Sequence, residues 1–232
     1  MIAGLQKMTL LDFPGKIACT VFLNGCNLRC PFCHNSQLLT GETQTLMDRD
    51  AFLDFLKSRQ GLLDGVCVSG GEPTLRRELP SFLESIRDLG FLVKLDTNGT
   101  RPHVVKELVG NGLVDYIAMD VKNSPSRYAE TVGIASPDLA AVEESLRFLM
   151  EDKVDYELRT TLVEPLHDEE SITQMGRWLA SLIPGRKPKQ LFLQSFVDRD
   201  TVLFSGLSAP EGETVERYAA ILSPYVEKVT IR

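Results

Sequence analysis

Little in the 232 residues points toward secretion, a membrane or a nucleic acid. Five cysteines are too few, and too odd in number, for a disulfide framework, and a chain of this length buries enough apolar surface to need no staples. No uncharged run approaches the ~20 residues of a membrane span. Residues 1–15 lack a basic segment followed by an apolar core, so no signal peptide is expected. Basic residues are in deficit: 25 Lys and Arg face 32 Asp and Glu, a net charge of −7, with no basic block. That argues against nucleic acid or an anionic membrane as the main partner. Low-complexity linkers and shifts of composition are missing as well. The expectation is one cytoplasmic domain over residues 1–232, of the ordinary globular mix that 43% hydrophobic and 25% charged residues describe.

What is present is an alternation. Residues 16–23 (KIACTVFL) are β-branched and apolar and stop at Asn24-Gly25, so they read as a buried strand. Residues 65–69, 91–96, 116–120, 156–162 and 191–194 repeat that reading. Between them lie stretches of helical period. Asp48 suits the cap of a helix with Phe52, Leu53, Phe55 and Leu56 on one face, ending near Gly61. Phe82, Leu83, Ile86 and Leu89 mark a second helix, and Pro102 suits the first turn of a third with Val105, Leu108 and Val109. Ser136-Pro137 opens a fourth, and Ile172, Met175, Leu179 and Leu182 mark a fifth. A last helix over 213–222 and a possible edge strand over 226–231 complete the chain.

Strand and helix alternating about six times imply an α/β fold with a parallel sheet and right-handed crossovers. Six units are fewer than the eight of a closed barrel, so a partial barrel and a doubly wound sheet both fit.

The densest chemistry is Cys26-Asn-Leu-Arg-Cys30-Pro-Phe-Cys33, in the loop directly after the first of these strands. Three thiolates on one tight loop can converge on a soft metal centre. One reading is a zinc site with His34 as fourth ligand, although adjacent ligands seldom point at one ion and no second pair completes a zinc ribbon. Another is a four-iron cluster on three thiolates with one iron left open. A fortuitous cluster on a surface loop is the third.

The pattern C-x3-C-x2-C with an aromatic before its last cysteine resembles the signature of the radical S-adenosylmethionine (SAM) enzymes. Its flanks, Leu11-Asp12-Phe13-Pro14-Gly15-Lys16, Asn24-Gly25 and Cys33-His34-Asn35, are similar to those of the activases of glycyl radical enzymes. Among these, the closest resemblance is to the family that activates anaerobic ribonucleoside-triphosphate reductase, related to the pyruvate formate-lyase activases. The resemblance is densest over residues 10–40 and recurs as motifs to about Gln194. It implies a partial (β/α)6 barrel of parallel strands, with its core over about 16–196 and a C-terminal helix and possible strand in 197–232. It implies a [4Fe-4S] cluster on Cys26, Cys30 and Cys33, with SAM at the open iron. Reductive cleavage then gives methionine and a 5′-deoxyadenosyl radical, which takes a hydrogen from a backbone glycine of the partner. No further cysteine cluster is present for an internal relay, so flavodoxin or ferredoxin is the implied electron donor.

Further motifs fall at strand ends, where α/β folds build their sites. Ser69-Gly70-Gly71-Glu72-Pro73 follows the second strand; its two glycines permit close approach to a ligand, and its carbonyls or Glu72 can accept from an ammonium group. In the family this segment receives the SAM amino group. Asp96-Thr97-Asn98-Gly99 follows the third strand and Asp120-Val121-Lys122 the fourth. By resemblance, Asp120 and Lys122 contact SAM, and a monovalent cation sits near Asp96 and Asp120. A plain Asx turn is the alternative for Asp96 and Asn98. Arg159 can meet a SAM carboxylate or ribose, or form a structural pair with Glu157 or Asp155. Gln194 stands where pyruvate formate-lyase activases carry a histidine. Phe32 suits either core packing or the adenine ring. Cys19, Cys67 and Trp178 read as core, His103 and His167 as solvent-facing, and His34 as a hydrogen-bonding neighbour of the cluster. Two rival functions remain: a radical SAM enzyme acting on a small molecule, as 7-carboxy-7-deazaguanine synthase does, and a zinc-binding module.

Overall fold

In the computed structural model, which describes residues 2–39, 45–202 and 204–232, strands and helices alternate from Ala18 onward. The eight strands among the described residues lie side by side in chain order. They are β1 (Ile2–Thr9), β2 (Ala18–Leu23), β3 (Gly65–Gly70), β4 (Leu92–Thr97), β5 (Tyr116–Asp120), β6 (Asp155–Leu162), β7 (Gln190–Ser195) and β8 (Lys228–Ile231). Strands β2 to β8 are parallel, and β1 runs antiparallel to β2. This order never reverses, which removes the doubly wound alternative, whose order turns back at a switch point.

The sheet curls into a partial barrel. The loops after β2 and β7 are five strands apart, roughly 24 Å across a flat sheet. Yet His34 Nε2 lies 2.6 Å from the Val197 carbonyl, and Ser36 donates to the carbonyl of Thr201. The two loops can meet only if the sheet bends round between them.

Helices α1 (Arg49–Lys57), α2 (Leu79–Asp88), α3 (Pro102–Gly110), α4 (Tyr128–Val132), α5 (Leu139–Leu149), α6 (Glu169–Ser181) and α7 (Gly212–Leu222) cover the outer face. Their starts are chemically marked. Asp48 accepts from the Ala51 amide at 2.8 Å, and Asp168 and Ser171 form a reciprocal capping box on α6. Phe52 and Leu56, Phe82 and Ile86, Val142 and Leu146, and Ile172 and Met175 are buried against Val21, Val66, Val93, Ile117 and Leu158 of the sheet. Each such side chain contributes about 1.5–3 kcal/mol by leaving water.

Four expectations shift. The sheet begins one strand earlier than the β-branched runs suggest, because β1 carries Gly4, Gln6 and Lys7 and buries only its ends. Helix α1 stops at Lys57, short of Gly61. Helix α5 starts at Leu139 because Asp138, not Ser136, accepts from the Ala141 amide. The one-turn α4 was not expected. No helix among the described residues is long and apolar enough to cross a membrane.

Candidate active site

The C-terminal ends of β2 to β7 surround a cleft that encloses about 980 Å³, part of it open to solvent. Cys26, Cys30 and Cys33 line one side and are all free thiols. Their loop is held from three directions. The Gly25 amide donates to the Leu38 carbonyl at 2.7 Å, the Arg29 amide to Val132 at 2.8 Å, and the Glu72 amide to Gly25 at 2.8 Å. Burial pushes all three thiols up, Cys30 to about 11, while the Lys122 ammonium pulls against it. Among the described residues, no three Cys, His, Asp or Glu groups gather around a single ion. Three thiols on one loop can each be taken by a different iron of a cluster. Sulfur donors alone are also the set such clusters prefer.

Opposite the cysteines stands the turn after β3. Gly70 adopts φ +122°, and a Cβ there would lie 2.3 Å from the Leu23 backbone. A Cβ on Gly71 would lie 2.1 Å from the Gly25 carbonyl oxygen. The close approach that these glycines permit is thus to the cysteine loop itself, not only to a ligand. Glu72 is only 1% exposed, and its carboxylate is held by four hydrogen bonds. It accepts from the Thr74 amide (3.1 Å) and hydroxyl (2.5 Å), the Thr97 hydroxyl (2.8 Å) and the Asn98 amide (2.6 Å). Glu72 lines the cleft, and its side chain also ties the turns after β3 and β4 together, so that the segment's carbonyls are the freer acceptors. Pro73 is buried at the start of a short 3-10 turn and does not line the cleft.

Burial pushes the Glu72 carboxyl up, against the four hydrogen bonds that hold it ionised. Glu72→Gln should place an amide donor against one of these donors. The mismatch costs roughly 1–3 kcal/mol, about 2–12 °C of thermal midpoint for a chain of this size. An unchanged midpoint by differential scanning calorimetry would refute this tying role.

Asn98 does form an Asx turn, its side-chain oxygen accepting from the Thr100 amide at 3.1 Å. Its amide group also donates to Asn27 at 3.0 Å, bracing the loop beside Cys26. Asp96 takes no part in that turn. Instead, Asp96, Asp120, Lys94, Lys122 and Arg159 form one network on the cleft floor. Lys94 Nζ binds Asp96 Oδ1, Arg159 lies 3.4 Å from Asp96 Oδ2 and 3.2 Å from Asp120 Oδ1, and Lys122 lies 2.8 Å from Asp120 Oδ2. Burial opposes ionisation of Asp96, but Arg159 and Lys94 together hold its carboxyl down at about 2. Arg159 thus pairs with neither Glu157 nor Asp155; Glu157 is taken by Arg232 at 3.0 Å and by Tyr116 at 3.3 Å.

Phe32 lines the cleft and packs with Val163, Leu166 and Phe196, its ring centroid 5.9 Å from Lys122 Nζ. His34 stacks on Phe196 with centroids 5.5 Å apart, and Gln194 and Thr161 complete the far wall. His167 is corrected from solvent-facing to 3% exposed, with Nε2 2.9 Å from the Lys122 carbonyl; burial pushes its imidazole down toward the neutral form. Lys94 and Thr97 went unremarked in the sequence. For Lys94 the available signal was a Lys-x-Asp pair inside an otherwise apolar strand, where alternate residues share a face.

Comparison with known proteins agrees with this geometry. The family model described as the Radical SAM superfamily matches residues 20–177. A Methanocaldococcus jannaschii protein provisionally named a glycyl-radical enzyme activating enzyme is 31% identical over 100% of this chain and 95% of its own length. The pyruvate formate-lyase-activating enzyme of Streptococcus mutans is 27% identical over 78% of this chain and 73% of its own. A 7-carboxy-7-deazaguanine synthase of Koribacter versatilis is 32% identical over 59% and 58%. Among solved structures, SuiB of Streptococcus suis bound to its precursor peptide SuiA superposes with a TM-score of 0.71 at 12% identity. That match covers 92% of this chain, which spans only 48% of the longer protein.

Proposed function

The chain belongs to the radical SAM superfamily and is a radical SAM enzyme, and from that premise we propose that it installs a glycyl radical on a partner enzyme, an anaerobic ribonucleoside-triphosphate reductase. The observation that carries the reading is the match to a provisionally named activase along the whole chain, where the deazaguanine synthase match reaches 59% of it. Cys26, Cys30 and Cys33 would hold the [4Fe-4S] cluster. When bound, cluster and SAM supply one-electron cleavage of the sulfonium and a carbon radical able to abstract hydrogen.

The residues around the cleft then have separable tasks. The carbonyls of residues 69–71 would accept from the methionyl ammonium of SAM, and Lys122 and Arg159, paired with Asp120 and Asp96, would face its carboxylate and ribose. Phe32 offers an apolar wall to the adenine. Holding these groups in one geometry, away from bulk water, directs the radical to its target. Cys19 and Cys67 are buried in the sheet, so no second cluster carries electrons inside the chain. An external flavodoxin or ferredoxin, in the cytoplasm, would donate them. The cleft is open on one side, and Val197, beside His34 at its rim, is 52% exposed, which leaves room for a polypeptide loop.

Electron paramagnetic resonance tests the reading. Reconstituted protein, SAM, reductant and the reductase should give a doublet from a glycine-centred radical. The identity to deazaguanine synthases favours a small-molecule rival. No doublet with any glycyl radical enzyme, together with SAM cleavage accelerated by a purine-like compound, would establish that rival.

A further inference from the structure

The five charged groups on the cleft floor leave no unclaimed carboxylate oxygen. Lys94, Arg159 and Lys122 between them contact both oxygens of Asp96 and both of Asp120. An alkali cation near these two aspartates, which the family resemblance implies, would have to displace a tethered cation or share its oxygen. Three fixed positive charges already exceed two negative ones by one. A further cation here would add to an existing excess of positive charge without a free carboxylate to offset it.

Lys94 is the unusual member. Its side chain is 1% exposed, so it is fully buried beneath the cleft rather than lining it. Residues two apart on a strand share a face, which sets the Lys94 ammonium directly under Asp96. Among the described residues it also meets the Cys67 sulfur at 3.8 Å, a weak acceptor. Burial opposes its charge, but Asp96 more than offsets this and holds the ammonium protonated.

We propose that the Lys94 ammonium under Asp96, together with the Arg159 guanidinium that bridges Asp96 and Asp120, takes the place of a loose monovalent cation, so that this chain orders its SAM-binding floor without added alkali metal. Lys94 is therefore a positioning residue, acting through Asp96 and Arg159. A carboxylate arriving from SAM would meet the excess positive charge of the floor directly. The SAM half of this statement rests on the function proposed above; the cation half does not.

The experiment uses the reconstituted protein in sodium, potassium or tetramethylammonium chloride at equal ionic strength. The SAM dissociation constant, by equilibrium dialysis, should agree within about twofold across the three salts, well under the tenfold step that 1.4 kcal/mol represents. Lys94→Ala removes the ammonium and frees the Asp96 oxygen that it holds. Its SAM affinity should fall by about tenfold or more in tetramethylammonium and recover in sodium or potassium. The thermal midpoint of the unmodified protein without SAM, in the same salts, gives a second readout that needs no ligand and no variant. It should not rise specifically with sodium or potassium.

An alkali-specific rise in that midpoint, or a tenfold gain in SAM affinity on adding sodium or potassium to the unmodified protein, overturns the proposal. So does a Lys94→Ala protein that binds SAM normally in tetramethylammonium. Absence of SAM binding in every salt would instead reject the function reading, and the midpoint series would still decide whether Lys94 has displaced the cation.

Discussion

Cys30→Ala should yield a folded protein that retains little iron and no measurable SAM cleavage. Cys30 lies centrally in the cysteine loop, and burial pushes its thiol up to about 11. Its ionisation therefore depends on a metal to receive the thiolate, with Lys122 in support. Two remaining thiolates cannot substitute for three, because the other two cysteines, Cys19 and Cys67, are buried in strands away from the loop. Changing groups that merely orient metal ligands costs roughly 10–100-fold, so loss of a ligand should exceed that range. Cys19→Ala and Cys67→Ala provide the contrast. Both residues are wholly buried strand positions away from the loop, and their variants should keep iron and activity. Iron analysis, visible absorbance and SAM turnover read the result. Full iron and turnover in Cys30→Ala would remove the cluster assignment.

The parts of the molecule that were legible are those where one local rule acts alone. Strands β2 to β7 announce themselves by short β-branched runs, α1 and α3 by a cap or a proline ahead of a 3.6-residue period, and α6 by that period alone. The cysteine spacing is equally local. What escaped was decided by distant partners. Strand β1 is mixed in composition and becomes a strand by pairing with β2. Glu72 reads as a ligand in an open turn, yet Thr97 and Asn98, some 25 residues away in the chain, absorb its carboxylate. His167 follows a proline-containing loop and looks exposed until the loop after β5 brings the Lys122 carbonyl to it. Lys94 is buried because the sheet curls and turns one face inward, which no single strand can reveal. Charge in an apolar strand deserves to be matched with charge two residues on before it is assigned to solvent.

Gly71→Ala tests whether the turn after β3 shapes the cysteine loop. Residue 71 is not among the positive-φ positions, so alanine can adopt its backbone conformation and steric contact alone is at issue. The added methyl would meet the Gly25 carbonyl oxygen at 2.1 Å and its carbon at 2.6 Å. Both are backbone atoms and cannot rotate aside. The strand ends must separate, stretching the hydrogen bonds from the Gly71 amide to Leu23 and from the Glu72 amide to Gly25, each 2.8 Å. Gly25 directly precedes Cys26, so the strain passes to the first proposed cluster ligand. Overpacking of this kind costs roughly 1–3 kcal/mol, about 2–12 °C of thermal midpoint here. Iron content should drop alongside, because thiolates shifted by a fraction of an ångström no longer match the cluster. Gly110→Ala is the control: it ends α3 in open space with no atom within 4 Å, and should leave midpoint and iron unchanged or slightly improved. A Gly71→Ala protein with the parent's midpoint and full iron would show that the turn yields without moving the cysteines. A lowered midpoint with full iron would confine the glycine's role to strand packing and separate it from the site.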